Sequence, residues 1–304
     1  MAKKKVLVMG SSGMLGMMVT KVLLDDKDIE TVGTVQNESA LSEIKELKDG
    51  LEIKFFDASA SEEEISKLIK GFDWVINAIG IIKPYIHDDN PAETTRAIKI
   101  NALFPHNLAL AAEKQGVKVI QIATDCVYSG QKGKYIETDP QDALDVYGKT
   151  KSLGEAYSPN IFHLRCSIIG PEPKAHVSLM DWFLGQAKNA SVNGFSNHMW
   201  NGVTTYQFAK LCIGIIKNDP EMGHIQHVIP SGSISKYEML TVFAKEFDRE
   251  DLEIKKTEAD KVIDRTLETM NKDKNDDLWK DAGYDKAPSV PEMIAELAKY
   301  WRKK

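Results

Sequence analysis

Short apolar runs, small or polar turns and longer stretches of helical spacing alternate through the first half of the chain. Lys5 to Met9 (KVLVM), Glu30 to Val35 (ETVGTV), Glu52 to Phe56 and Trp74 to Ala78 (WVINA) are the first such runs, and Val117 to Ile122 and Ile161 to Arg165 continue the series. Runs of this length with little polar alternation read as strands covered on both faces. Between them, helical spacing runs from Met17 to Leu24, from Ser61 onward and from about Pro91 to Gln115. Ser61 followed by Glu62, Glu63 and Glu64 is a helix start, with a capping hydroxyl and carboxylates placed against the positive end of the helix dipole. Strands alternating with helices predict an α/β fold, a doubly wound parallel sheet with right-handed crossovers. Ligands of such sheets bind beyond the carboxyl ends of the strands.

The turn after the first strand is Gly10-Ser-Ser-Gly13-Met-Leu-Gly16. Strand, glycine loop and helix in this order are the context of a dinucleotide-binding (Rossmann) fingerprint. Gly10 allows the tight turn, Gly13 lets the backbone approach a pyrophosphate, and Gly16 lets the helix pack close to the sheet. Ser12, Met14 and Leu15 belong to the same cofactor loop, and the helix N-terminus offers its free N–H groups to the anion. Further strand ends add Asp57 and Ala58, then Asn77-Ala78-Ile79-Gly80, whose small residues suit close approach of a cofactor. After the second strand stand Val35, Gln36 and Asn37, where a carboxylate would bind the adenosine 2′-OH of NAD. The absence of an acid favours NADP(H) over NAD(H). Asn101, inside an apolar helical stretch, must be hydrogen-bonded if buried.

The fifth strand leads to Thr124, and a helix opens near Tyr147. Tyr147 and Lys151 are four apart and share one helix face, while Lys149 points elsewhere. A hydroxyl, a phenol and an ammonium group brought together protonate a carbonyl oxygen. A neighbouring cation is expected to lower the phenol's pKa from about 10, towards the range of efficient acid–base work.

After Gly170 the pattern changes. Pro171 and Pro173 mark a break, and Ser178 to Lys188 is amphipathic. Asn193 to Thr205 reads as turn-rich, Tyr206 to Lys217 and Ser235 to Phe247 as helices, and Pro291 to Trp301 as a terminal helix. Asp251 to Lys286 is charged and reads as a solvated face, from which Arg265 would reach an anionic substrate. The division expected is a dinucleotide-binding domain of 1–168 plus about 197–228, and a smaller, discontinuous substrate cap of about 169–196 plus 229–304.

Composition narrows the picture. A net charge of −6 gives no basic footprint for nucleic acid. No apolar run is long enough to span a bilayer. Lys3-Lys4-Lys5 reads as the solvated lead-in to the first strand, and the glycines and serines that follow argue against a signal peptide. Three scattered cysteines (Cys126, Cys166, Cys212) fit a reducing compartment, hence the cytoplasm, and Cys126 reads as a small buried thiol. The seven histidines do not cluster, so no metal site is expected.

Gly10-x-x-Gly13-x-x-Gly16, Asn101, Ala123-Thr124-Asp125 and Tyr147-x-x-x-Lys151 together resemble the extended short-chain dehydrogenases/reductases, over nearly the whole chain. TDCVYSG, YIETD and YGKTKSLGE are similar to the corresponding segments of the dTDP-4-dehydrorhamnose reductase family. The resemblance implies a nicotinamide cofactor and a nucleotide-linked 4-keto-6-deoxy sugar, in polysaccharide or deoxysugar biosynthesis, and allows a homodimer. It implies Tyr147 as proton donor, Lys151 as the group that holds the nicotinamide ribose and lowers the tyrosine pKa, and Thr124 as a second hydrogen bond to the carbonyl oxygen. Asn101 would anchor a water in the proton relay, and Tyr128, Trp200 and Arg265 would touch substrate. Cys126 stands where the family carries an aromatic residue, and Phe195 to Thr205 departs from it as well. Two alternatives stay open: an epimerase or dehydratase on the same fold, and a binding role like that of the regulatory subunit of methionine adenosyltransferase.

Overall fold

A computed structural model describes residues 3–47 and 50–302. Its centre is a seven-stranded sheet built from β1 (Lys4–Met9), β2 (Ile29–Val35), β3 (Glu52–Phe55), β4 (Trp74–Asn77), β5 (Lys118–Ala123), β6 (Ile161–Arg165) and a late strand, Ile225–His227. Each pairing in it is parallel. From one edge the order is the late strand, β6, β5, β4, β1, β2, β3. The order reverses direction between β1 and β4, and a crevice opens at such a point, beyond the strand ends.

Side chains alternate through this sheet as pleating requires. Val6 and Val8 join one buried cluster, Leu7 and Met9 the other. The first cluster is covered by α1 (Met14–Leu24) and by a later helix carrying Phe208 and Leu211. The second is covered by α2 (Glu62–Ile69), with Ile65, and by the helix carrying Phe104 and Leu108. The expected start of α2 is realised in full: Ser61 accepts from the Glu64 N–H, and the Glu64 carboxylate accepts from the Ser61 N–H.

The stretch expected as one helix from Pro91 to Gln115 is α3 (Pro91–Ala97), a wide π-helical turn over Ile98–Leu103, and α4 (Phe104–Gln115). Asn101 sits in that turn. Next come α5 (Val146–Leu153), β7 (Ile168–Ile169) and α6 (Leu179–Leu184), the last shorter than the amphipathic pattern over 178–188 suggested.

The segment read as turns, Asn193 to Thr205, contributes instead to β8 (Ser191–Phe195), β9 (His198–Trp200) and β10 (Val203–Thr204). There follow α7 (Thr205–Asn218), β11 (Ile225–His227, the late strand), β12 (Ile234–Ser235), α8 (Lys236–Glu246), β13 (Glu253–Thr257), β14 (Ile263–Asp264), α9 (Lys272–Asp281) and α10 (Val290–Arg302). Three small sheets pair β10 with β7, β8 with β13, and β9 with both β12 and β14. The charged stretch 251–286 is therefore only partly a solvated face: Thr266, Leu267, Asn275, Leu278 and Trp279 are buried within it. Met180, Phe183, Met239, Leu240 and Phe243 continue the apolar cluster that begins under β1, so sheet and cap share one core.

Candidate active site

The glycine loop lies where the order of strands reverses. Gly10 has φ +84°, open to a residue without a Cβ, and a Cβ at Gly16 would lie 2.1 Å from the Gly10 carbonyl oxygen. That contact is backbone on backbone and cannot yield. Gly16→Ala is expected to cost about 1–3 kcal/mol or more of stability, read as a lower urea midpoint.

The helix that follows is left open. Gly13 is the N-cap of α1 and supplies no side-chain acceptor, whereas Ser61, Asp145 and Ser235 cap α2, α5 and α8. The loop that leads into α1 borders a cavity of about 390 Å³. Gly10, Ser12 and Gly13 line it on one side, Asp57 and Ala58 on another, and Ala78, Ile79 and Gly80 on a third. An uncapped helix N-terminus over a glycine cradle is a fit for a pyrophosphate, so the residues present suit a dinucleotide. Of the other residues expected at the cofactor, Met14, Leu15, Gly16 and Asn77 do not line the cavity. Leu15, Gly16 and Asn77 are buried in the packing behind it. Asn77 shapes the wall: it accepts from the Ile79 N–H at 3.0 Å and donates to Gln121 at 2.7 Å.

Asn101 links this wall to the next element. Its carboxamide accepts from the Ile81 N–H at 2.8 Å, donates to the Ile81 carbonyl at 2.9 Å, and approaches Thr150 Oγ1 at 3.4 Å. The side chain is a clip between the cavity wall and α5. The reason is the wide turn, which swings this residue inward from the helical register.

Thr124, Tyr147 and Lys151 are brought together beyond the end of β5, one strand over from the cavity lining. Asp145 caps α5 by accepting from the Gly148 N–H at 2.8 Å. That sets the helix so that the Tyr147 phenol and the Thr124 hydroxyl are hydrogen-bonded to each other. Lys151 donates to the Ile122 carbonyl at 3.2 Å. The electrostatics differ from expectation. Burial pushes the Tyr147 phenol well up; the Cys126 thiol and the carboxyls of Asp125 and Asp145 push the same way, and only Thr124 opposes. Lys151 is not among the groups acting most on the phenol. Burial also brings Lys151 itself down to about 8, against the pull of Glu155. Cys126 is pushed up to about 12 by burial and by Asp125, so it is an unreactive thiol beside the site.

Of the three residues expected to touch substrate, two are enclosed by protein. Tyr128 is fully buried: its ring stacks on Tyr135 with centroids 4.2 Å apart, and its hydroxyl donates to the Ile136 carbonyl and accepts from Arg165 at 2.6 Å. Trp200 is 5% exposed and packs in the shared core, with Lys236 5.8 Å over its ring. Neither has a face left for a sugar. Arg265 is only partly buried. Its Nε donates to the Tyr128 carbonyl at 2.8 Å, and its charge, with that of Lys236, acts on the buried Asp125 next to Thr124.

A buried ion pair lies behind the site and had no signature in the sequence. Arg165 donates to Glu155 through Nε at 3.0 Å and Nη2 at 2.5 Å, and through Nη1 to Tyr128 and to His227 Nε2 at 2.9 Å. His227 is held neutral by burial and by Arg165. It therefore carries its proton on Nδ1, which donates to the Glu268 carbonyl at 2.7 Å. Gln36, Arg96 and Lys174 also line the cavity; of these only Gln36 had been singled out, for not being an acid. Among the described residues no three His, Cys, Asp or Glu side chains are grouped to hold a metal, and no helix is long and apolar enough to cross a membrane.

Residues 4–295 match the model of the RmlD substrate binding domain. The chain belongs to this family. A dTDP-4-dehydrorhamnose reductase of Aggregatibacter actinomycetemcomitans is 26% identical over 188 residues, 61% of this chain and 53% of that protein. The match thus spans about half the length of that relative. Methionine adenosyltransferase 2 subunit beta of Danio rerio is 25% identical over 81% of this chain and 74% of its own length. Among solved structures, a dTDP-4-dehydrorhamnose reductase of Clostridium acetobutylicum superimposes with a TM-score of 0.73 at 21% identity, covering 98% of this chain and 99% of that one. UDP-glucuronic acid 4-epimerase of Bacillus cereus does so with 0.74 at 17% identity and the same coverage. At these identities the superpositions establish the fold.

Proposed function

We propose that this protein is a nicotinamide-dependent reductase of the keto group on a nucleotide-linked 4-keto-6-deoxy sugar. The observation that carries the reading is the Thr124–Tyr147 hydroxyl pair, with Lys151 one turn along the same helix, beyond a strand adjoining the uncapped glycine-loop cavity. A reduced nicotinamide bound in that cavity would supply the hydride. The chain's own part is the proton. Burial keeps Tyr147 protonated at neutral pH, the state needed by a group that gives a proton to a carbonyl oxygen. Thr124 would donate to the same oxygen, turning its hydroxyl from Asp125. Arg265, beside Asp125, would steady the anionic part of the substrate. The reading takes residues 1–168 plus about 197–228 as the cofactor half and the remainder as the cap, in a cytoplasmic enzyme acting as a homodimer. The relatives named as dTDP-4-dehydrorhamnose reductases support it.

The test is NADPH and NADH oxidation with a panel of dTDP- and UDP-linked 4-keto sugars. Stoichiometric oxidation with one reduced sugar per cofactor supports the reductase. A second reading, an epimerase, is favoured by the equally good superposition on UDP-glucuronic acid 4-epimerase; turnover without net oxidation of added cofactor would establish it instead.

A pH profile follows from the two side chains on α5. The phenol's pKa lies above the ordinary tyrosine range, so Tyr147 stays protonated through neutral and mildly alkaline pH. Lys151, lowered to about 8, is charged below that pH and neutral above it. kcat/KM, which reports the free enzyme, is therefore expected to fall as pH rises through about 8, through loss of the ammonium that holds the ribose. Lys151→Arg should move the alkaline limb upward; a limb that stays in place would assign it to another group.

A further inference from the structure

Two cations line the cofactor cavity, Arg96 of α3 and Lys174. Lys174 lines it together with Gly10, Thr34 and Gln36, yet belongs to the strap between β7 and α6. The strap is built to present it. Glu172 N–H donates to Asp181 at 2.9 Å, His176 Nδ1 contacts the same carboxylate at 2.7 Å, and Ser178 N–H donates to Glu172 at 2.8 Å. Directly after Lys174, Ala175 and His176 both take left-handed backbone conformations, φ 65° and 49°. Two adjacent non-glycine residues seldom adopt that geometry unless the surroundings impose it. The bend is closed by the His176 N–H, which donates to the Lys174 carbonyl at 2.8 Å, and turns the chain back directly after Lys174.

The ammonium of Lys174 meets Glu43, N to O 2.8 Å. Glu43 lies on the 3-10 segment Glu38–Leu47 that follows β2, which fixes the corner of the cavity concerned. The end of β2 is where a Rossmann sheet meets the adenosine ribose, and its 2′ substituent decides between the two nicotinamide dinucleotides. No acid stands at Val35, Gln36 or Asn37, and Gln36 is itself tied back to Asp57 at 3.0 Å.

We propose that Lys174 is the residue that selects the cofactor: it takes the 2′-phosphate of NADP(H), exchanging Glu43 for the phosphate, and so ties the strap across the bound dinucleotide. A lysine ammonium on a flexible stem, more than half exposed in its side chain, can make that exchange without moving the backbone. Glu43 keeps the cation at the corner when no phosphate is there and opposes a phosphate when the cation is missing. This inference rests on the proposed function only in taking the cavity as a nicotinamide dinucleotide site.

The test is calorimetric titration of the full chain with NADPH, NADH and adenosine 2′,5′-bisphosphate, which needs no turnover. The unaltered protein should bind NADPH more tightly than NADH. Lys174→Gln should weaken NADPH and the bisphosphate about tenfold or more and leave NADH unchanged, Lys174→Arg should retain the preference, and Glu43→Gln added to Lys174→Gln should recover part of the loss. Equal weakening of NADPH and NADH, or no change in either, would overturn the assignment, as would an unaltered protein that prefers NADH. Failure to bind any of the three ligands would overturn the dinucleotide reading and this inference together, whereas NADH binding without NADPH preference sinks this inference alone.

Discussion

Replacing Tyr147 with phenylalanine is expected to lower kcat on a keto-sugar nucleotide by about 10²–10⁴-fold, the usual contribution of a positioned general acid, with dinucleotide binding nearly unchanged. The ring stays the same size, and the Gly148 N–H remains capped by Asp145, so α5 keeps its place. What is removed is one O–H, the partner of Thr124. Thr124 retains its bonds with Asp125 and with the Cys126 N–H, so the rest of the constellation is held. The measurement is steady-state turnover beside a cofactor titration on the same sample. Turnover at the unaltered rate would remove Tyr147 from the mechanism, and loss of cofactor binding would make the residue structural instead.

The second large effect is on stability. Glu155→Ala is expected to cost about 3–5 kcal/mol, because it leaves the Arg165 guanidinium buried with no counter-charge. Arg165 has no exposed side-chain surface and Glu155 only 6%. Its remaining partners, Tyr128 and His227, are neutral. Urea denaturation reads the loss directly. A change below about 1 kcal/mol, the value of an exposed pair, would mean that water reaches the guanidinium. The same substitution has an electrostatic readout: Glu155 is the group that holds the Lys151 pKa up against burial. The alkaline limb of kcat/KM should therefore move to lower pH in any Glu155→Gln variant that folds.

The strands of the sheet were legible because parallel strands covered on both faces read as unbroken apolar runs, KVLVM and WVINA among them. The glycine loop was legible because two of its glycines, Gly10 and Gly16, answer local steric demands. Other features depend on partners far along the chain. The segment SVNGF has the polar, glycine-containing look of a turn, but it pairs residue by residue with Glu253–Thr257 and buries alternate side chains. Nothing within a local window announces a partner about sixty residues away. Tyr128 and Trp200 show the same limit at the site: an aromatic residue next to a catalytic segment suggests a sugar platform until Arg165 and His227, or the shared core, are seen to enclose it. The tyrosine's electrostatics were misjudged for a related reason. A cation four residues away on a helix is close, but burial is the larger influence on the phenol.

The loop that follows Thr124 is fastened to the last quarter of the chain. Tyr135 N–H donates to the Thr266 carbonyl and Glu268 N–H to Tyr135, the Asp264 N–H donates to Gly130, and Glu137 accepts from Thr269 and from the Met270 N–H. During synthesis these anchors leave the ribosome long after the sheet's own residues, and contacts so distant in sequence are late to form. A nascent chain ending before residue 264 already holds every strand of the large sheet and the whole glycine loop, while the segment between Thr124 and α5 still lacks its fasteners. The core under β1 also waits for Leu278, Trp279 and Met293, so the segment that carries Thr124 is expected to order only once the last part of the chain has been made.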